Sequence, residues 1–217
     1  MRARRVGVIG SGIVGRTLAA GFARHGWETM IGSRDPSPLR DWADATDPRV
    51  ATGTFDEVAA FGELLVLAVR GSAAEATVAL VGASALADKT ILDATNPIAE
   101  RPIEDGVLPF FTSHGESLME RLQRAAPGAR FVKAFSCVGS ALMVNPELEG
   151  GPPTMFICGD HAEAKREAID VLEAFGWDWE DLGSAAAARA IEPLAMLWCI
   201  PGFLRNDWVH AYRLLRG

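Results

Sequence analysis

Four short clusters in this 217-residue sequence combine residue types and spacings that can do chemistry. Gly10-Ser11-Gly12-Ile13-Val14-Gly15 has the spacing that brings a backbone up to a pyrophosphate. Gly10 permits a tight turn out of a strand, Gly12 keeps the backbone open to phosphate, and Gly15 lets the next helix pack closely. That helix, from Arg16 onward, offers free N–H groups and the positive end of its dipole. Ser33-Arg34 pairs a hydroxyl with a guanidinium, a combination suited to a phosphate monoester. An acidic residue there would accept from a ribose 2′-OH and repel a 2′-phosphate, so the dinucleotide expected is NADP(H). Asp35, followed by Pro36, is expected in a turn pointing away; an inward Asp35 would favour NAD. Arg40 is expected to be a solvated helix residue rather than a second charge in the pocket.

The other two clusters are Asn96-Pro97 and Ser136-Cys137. The Asn96 amide both donates and accepts, so it either meets the nicotinamide or stabilises its own turn before Pro97. No dedicated base stands beside Ser136 or Cys137, so nucleophilic catalysis is not expected. Lys133, one of three lysines, lies inside a strand. Its side chain is expected to reach past the sheet rim to solvent or to tie down a loop, rather than to donate a proton. His25, His114, His161 and His210 are scattered, and no metal-ligand spacing is present. Cys137, Cys158 and Cys199 read as small buried hydrophobes.

These clusters need a frame. Arg5–Ile9 and Glu28–Ile31 read as strands around the first helix. Val50–Thr52 is a short third strand, and Thr54 caps a helix to Phe61 with Glu57 in the reciprocal capping position. Leu64–Val69 is continuously apolar, as in a parallel strand buried on both faces. Helices over 73–80 and 115–125 alternate with strands over 90–93 and 130–135. The alternation predicts an α/β, doubly wound, Rossmann-type and mostly parallel sheet. A strand over 154–158, a helix over 161–175 and a strand near 177–182 follow. The region 185–215 reads as mostly helical, interrupted at Pro193 and Pro201-Gly202. The division expected is a dinucleotide-binding core over 1–136 and an extension over 137–217, packed on the same sheet and lining an acceptor pocket. In an open parallel sheet ligands lie beyond the carboxyl ends of the strands. The nicotinamide is therefore expected near Val69-Arg70-Gly71, Asn96-Pro97 and Ser136–Gly139. Met196, Trp198, Phe203 and Trp208 make an apolar C-terminal stretch that reads mainly as core.

Bulk properties exclude several classes. Hydrophobic residues make up 49% and charged residues 23% of the chain, a globular balance. The net charge of −7 leaves no basic surplus for nucleic acid. No apolar run is expected to span a membrane, and the start leads directly into the first strand without room for a signal peptide. A cytoplasmic protein without membrane partners is the expectation.

The segments Gly10–Gly15, Ile31-Gly32-Ser33-Arg34, Asp93-Ala94-Thr95-Asn96-Pro97, Val132-Lys133-Ala134-Phe135 and Ala188-Arg189-Ala190-Ile191-Glu192-Pro193-Leu194-Ala195-Met196 occur in an order that resembles the coenzyme F-420-dependent NADP oxidoreductases, over nearly the whole chain. The resemblance implies a Rossmann-type domain extended by C-terminal strands and helices, usually a homodimer. It implies direct hydride transfer between NADP(H) and a small-molecule acceptor, the 8-hydroxy-5-deazaflavin coenzyme F-420 or a flavin, with no catalytic acid or base. Carried over, Ser11, Gly12, Ile13 and Val14 would bind the pyrophosphate, and Ser33 and Arg34 the 2′-phosphate. Val69, Arg70, Asn96 and Pro97 would lie near the ribose and nicotinamide, and Ser136, Cys137 and Glu192 would border the acceptor pocket. The chain departs from the family at Arg70, commonly proline, and at Ser136, frequently asparagine. Arg70 places a charge close to where the second substrate stacks. Two alternatives stay open. One is an NADPH-dependent imine, carbonyl, flavin or ferric reductase, where the imine or carbonyl reaction needs a proton donor. The other is a non-catalytic domain that senses NADPH.

Overall fold

The computed structural model describes residues 4–217, so positions 1–3 of the expected core lie outside the described residues. The chain opens with β1 (Arg5–Ile9), α1 (Ile13–Arg24), β2 (Glu28–Gly32), a 3-10 turn, α2 (Arg40–Asp44) and β3 (Ala51–Gly53). It continues through α3 (Phe55–Phe61), β4 (Leu64–Leu67), α4 (Gly71–Val81), α5 (Ala83–Leu86), β5 (Thr90–Asp93), α6 (Leu118–Ala125) and β6 (Arg130–Lys133). The last third holds β7 (Thr154–Ile157), α7 (Ala162–Ala174), β8 (Asp178–Asp181) and α8 (Ala188–Arg205).

Six strands form one sheet in the order β3-β2-β1-β4-β5-β6, and every neighbouring pair is parallel. This is the doubly wound architecture that the alternation of strands and helices predicts. The order reverses between β1 and β4, which opens a crevice beyond their carboxyl ends. Register lines up Gly32, Ile9, Leu67, Asp93 and Lys133 in one row along that rim.

Alternate side chains feed two cores. Val6, Val8, Leu64, Val66, Leu92 and Val132 face α1 and α7. Ile9, Leu65, Leu67, Ile91 and Phe131 face α3, α4, α6 and the start of α8. Phe175, fully buried, stacks near Phe22, Trp27 and Phe135, which joins the C-terminal third to the first helix. Capping boxes open two helices, Thr54 with Glu57 for α3 and Ser117 with Glu120 for α6. The second explains why α6 starts at Leu118 rather than at Gly115: the Ser117 hydroxyl takes up an otherwise unpaired N–H of the first turn.

α7 packs on the large sheet against β5 and β6, and one expectation is corrected, the interruption of the last helix. β7 and β8 stand apart from the large sheet. They form a separate parallel pair, which meets β6 at an isolated antiparallel bridge between Lys133 and Cys158. α8 runs through both Pro193 and Pro201 without a break and ends at Asn206, whose φ of 55° is left-handed. Residues 206–217 carry no regular secondary structure. Their polar groups find other partners: Trp198 Nε1 donates to the His210 carbonyl, Tyr212 Oη to the Leu194 carbonyl, and Thr154 N to the Tyr212 carbonyl. The tail therefore satisfies its backbone by lying across α8 and against β7, not by continuing the helix.

The helical stretch Ala185–Arg205 is, by length and composition, apolar enough to cross a membrane, contrary to the sequence expectation. A third of its apolar window is buried in the protein, and Glu192 within it is buried and ion-paired.

Candidate functional site

The phosphate-type turn is built as its spacing implies. Gly10 has a φ of 128°, and a Cβ there would collide with the Ala68 carbonyl. A Cβ on Gly15 would collide with the Gly10 carbonyl, whereas one on Gly12 would meet nothing within 4 Å. The backbone is thus open at Gly12, the N-cap of α1, and no acidic residue occupies that helix's first turn. Ile13 is exposed beside it, and Ser11 and Val14 are half-buried. Arg16 was not singled out by sequence. Its Nε donates to the Ser11 carbonyl at 3.0 Å, and its guanidinium lies over Trp42 at 5.6 Å. It braces the turn from the helix side.

At the end of β2 the carboxylate of Asp35 turns back and accepts from Ser37 N at 3.0 Å. That backbone bond holds its carboxyl below the usual carboxylate range. The Ser33 hydroxyl donates to the Asp35 carbonyl. Arg34 is exposed and has no hydrogen bond or ion pair among the described residues. Arg40 is exposed on α2.

Across the switch point, Val69 is half-buried and Arg70 exposed. Asn96 Nδ2 donates to the Ser136 carbonyl at 2.7 Å, tying the loops after β5 and β6 together. Asn96 Oδ1 and Ser136 Oγ are buried without a hydrogen-bond partner. Pro97 is buried beside them. Burial pushes the Cys137 thiol up to about 12, so no thiolate forms there near neutral pH.

Lys133 does not reach solvent. Its side chain is completely buried, with Nζ 2.7 Å from Asp93 Oδ2 and 2.9 Å from Glu192 Oε1, and it donates to the Thr95 carbonyl at 3.0 Å. Burial alone would push its pKa down, but the two carboxylates outweigh that and hold it above the ordinary lysine value. Glu192 accepts from Leu118 N and Met119 N, both at 3.0 Å, at the start of α6. Asp93 accepts from Thr95 N and Oγ1 at 2.9 and 2.6 Å. Glu192 therefore sits under the crevice and acts on it through Lys133 and Thr95. The sequence did hold one signal for this: Asp93 and Lys133 end adjacent strands and pair in register, and opposite charges inside apolar strands must answer each other.

Arg189, one turn before Glu192 on α8, grips Glu120 of the α6 capping box at 2.6–3.1 Å. Those bonds, followed by Ser117, pull the Glu120 carboxyl down to about 2 against the effect of burial. Of the C-terminal apolar residues, Trp198 is buried, and Trp208 bridges its ring to that of Phe203 with centroids 5.7 and 5.2 Å apart. A groove of about 600 Å³ lies elsewhere. It is lined by Glu28, Thr29, Asp44, Arg49 and Ala51 at the opposite ends of β2 and β3, and has no part in the crevice. Among the described residues no group of His, Cys, Asp and Glu could hold a metal ion.

The profile of the family described as "NADP oxidoreductase coenzyme F420-dependent" matches residues 5–97, from β1 to the Asn96-Pro97 loop. The crystal structure of a candidate F420-dependent NADP reductase from Arthrobacter sp. FB24 superposes with a TM-score of 0.90 at 32% identity, covering 98% of this chain and 99% of that one. This chain belongs to the coenzyme F420-dependent NADP oxidoreductase family. Similarity extends to the F420-dependent NADP reductase of Methanothermobacter thermautotrophicus, 29% identical over 89% of this chain and 87% of that protein. It also extends to the metalloreductase STEAP3 of Rattus norvegicus, 32% identical over 93% of this chain. The chain spans only 39% of the length of that relative. The F420-dependent NADP oxidoreductases are NADP-dependent enzymes, and the open Gly12 turn and unpaired Arg34 are features that fit such a cofactor.

Replacing Lys133 with methionine should leave Asp93 and Glu192 buried and uncompensated, at a cost of roughly 3–5 kcal/mol. Urea denaturation would read this as a large fall in midpoint, and a change under about 1 kcal/mol, within the range of an exposed ion pair, would refute the triad's role. Glu120 gives a separate pH signature. Its folded pKa of about 2 lies below the ordinary 4.5, so its contribution is present above pH 4.5 and fades as pH falls toward 2. The stability difference between wild type and Glu120→Gln should therefore be constant near neutrality and shrink over that acid window, as followed by thermal melts across pH.

Proposed function

We propose that the protein transfers a hydride directly between NADP(H) and a deazaflavin, coenzyme F-420, or a flavin-like acceptor. The observation that carries this reading is the sealing of two of the three candidate proton donors, Lys133 and Cys137, which leaves only the weakly acidic Ser136 hydroxyl. Lys133 is locked between two carboxylates away from water, and the Cys137 thiol is buried. An imine or carbonyl reduction needs a proton delivered at the reacting centre, whereas hydride exchange between two rings needs proximity and alignment. The chain supplies positioning groups instead. The turn 10–15 and the start of α1 would hold the pyrophosphate, and Ser33 and Arg34 the 2′-phosphate. Val69, Asn96, Pro97 and Ser136 would flank the nicotinamide, with Cys137 buried behind them. The nicotinamide supplies the hydride. Its carboxamide carries one donor and one acceptor group, which suits the unpartnered Asn96 Oδ1 and Ser136 Oγ.

The Asp35 carboxylate, taken up by Ser37 N, and the free Arg34 support NADP over NAD. We also take the protein to work in the cytoplasm as a homodimer, without membrane or nucleic-acid partners. The exposed apolar residues Leu197, Phe203 and Leu204 on α8 support a subunit interface.

Purified protein should oxidise NADPH with the deazaflavin or with flavin mononucleotide, followed spectrophotometrically. No turnover with either would refute the reading. For Arg34→Ala, loss of a charge-assisted bond worth about 1.5–3 kcal/mol should weaken NADPH binding roughly ten- to a hundredfold and leave NADH binding nearly constant. Titration calorimetry with both nucleotides checks this; equal losses would mean that Arg34 serves the fold or the pyrophosphate.

A further inference from the structure

We propose that Arg70 selects a hydride acceptor whose redox ring carries an anionic side chain, a phosphate or a carboxylate. The inference rests on the hydride-transfer reading above and adds the chemical class of the second substrate.

The residues that directly follow the carboxyl ends of β1, β2, β4, β5 and β6 are 10–15, 33–35, 68–71, 94–97 and 134–139. Their charged side chains are Arg34, Asp35 and Arg70. Arg34 and Asp35 follow β2, on the far side of β1 from β4, at the adenosine end of the crevice. Of these positions, Arg70 is the charged one across the switch point; Arg101, further along the loop after β5, is turned to the Phe110 carbonyl. The position of Arg70 is fixed from both sides: the Ala68 carbonyl abuts Gly10 of the phosphate turn, and Gly71 is pressed against the Asn96 carbonyl so closely that a Cβ would collide. Arg70 is also the N-cap residue of α4, and its carbonyl accepts from Ala73 N at 2.9 Å. The backbone is pinned while the side chain is exposed and has no partner among the described residues.

The carboxylates around α4 are engaged elsewhere. Glu100 accepts from Ser72 Oγ at 3.1 Å, and Glu75 lies 3.8 Å from Arg121. No acidic residue occupies the first turn of α4. In a chain of net charge −7, an arginine left unpaired at this point is a local positive centre in a negative molecule. The phosphates of the dinucleotide have their own partners in the glycine turn, the α1 N-terminus and Arg34. The remaining cation, beside the nicotinamide end, answers a charge that the other substrate brings. A guanidinium suits phosphate or carboxylate, and a lone charge at a cleft mouth raises the encounter rate of anions in a salt-dependent way.

Flavin mononucleotide and riboflavin share one ring system and differ by a phosphate, so they serve as the probes, alongside the deazaflavin with and without its phosphate-bearing tail. In Arg70→Ala, kcat/KM for flavin mononucleotide should fall about tenfold or more, the loss of one charge-assisted bond, and riboflavin should lose far less. Arg70→Glu should deepen the loss and Arg70→Lys should restore part of it. The salt dependence of the wild-type rate with flavin mononucleotide should flatten in Arg70→Ala. The same discrimination with the deazaflavin pair identifies the tail phosphate as the anion; a preference confined to the flavins identifies the flavin phosphate. Equal losses for the charged and uncharged acceptors would overturn the inference while leaving hydride transfer intact. So would a fall in NADPH affinity that accounts for the whole effect, which would put Arg70 on the cofactor phosphates. Absence of turnover with every acceptor would overturn both.

Discussion

A buried ammonium group between two buried carboxylates organises this molecule. Lys133, Asp93 and Glu192 exchange water for one another, and such an exchange is tolerated only when the remaining valences are met. Here backbone and the Thr95 hydroxyl meet most of them, and Asp93 Oδ2 has the Lys133 ammonium alone. The start of α6 gives two N–H groups to Glu192, and the Thr95 peptide gives its N–H to Asp93 and its carbonyl to Lys133. The triad carries one excess negative charge, which faces the positive end of the α6 dipole. β5, β6, α6 and α8 thus meet at one electrostatic point. The loop that leaves it, Thr95-Asn96-Pro97, is the one that borders the crevice.

The same arrangement explains why the C-terminal Ala-Arg-Ala-Ile-Glu-Pro block has its form. Arg189 and Glu192 lie on one side of α8 at helical spacing, and each reaches a different part of the first turn of α6: Arg189 the capping glutamate, Glu192 the backbone behind it. Pro193 costs this helix a backbone hydrogen bond, and these cross-helix contacts secure the turn where that bond is missing.

Much of the frame was legible in sequence because its signals are local. The continuous apolar run of β4, the Thr54–Glu57 capping box and the spacing of Gly10, Gly12 and Gly15 each speak about neighbours within a few residues. That Asp35 sits in a bend was legible too, since Pro36 follows it. What escaped was long-range. Glu192 reads as pocket lining until α8 is folded back on α6, and Lys133 reads as a rim residue until Asp93 is placed beside it. Alternation marks β7 and β8 as strands but says nothing about which sheet they join. The stretch after Asn206 has apolar residues enough for a helix, yet its peptide groups are drawn to the exposed edge of β7, an interaction with no counterpart in the local sequence.

The junction at Lys133 and Cys158 has a bearing on self-association. An open parallel sheet has two edges, each a row of unpaired peptide groups that invites a foreign strand. One edge here is β3, only three residues long. The other is β6, and the chain returning toward α7 crosses its carboxyl end antiparallel at Cys158, so that end is already taken. Neither edge offers another molecule a long strand to extend. Copies of this chain are thereby steered away from growing one continuous sheet, and any stable pairing between them has to be made through helices and side chains, where shape rather than backbone decides the partner.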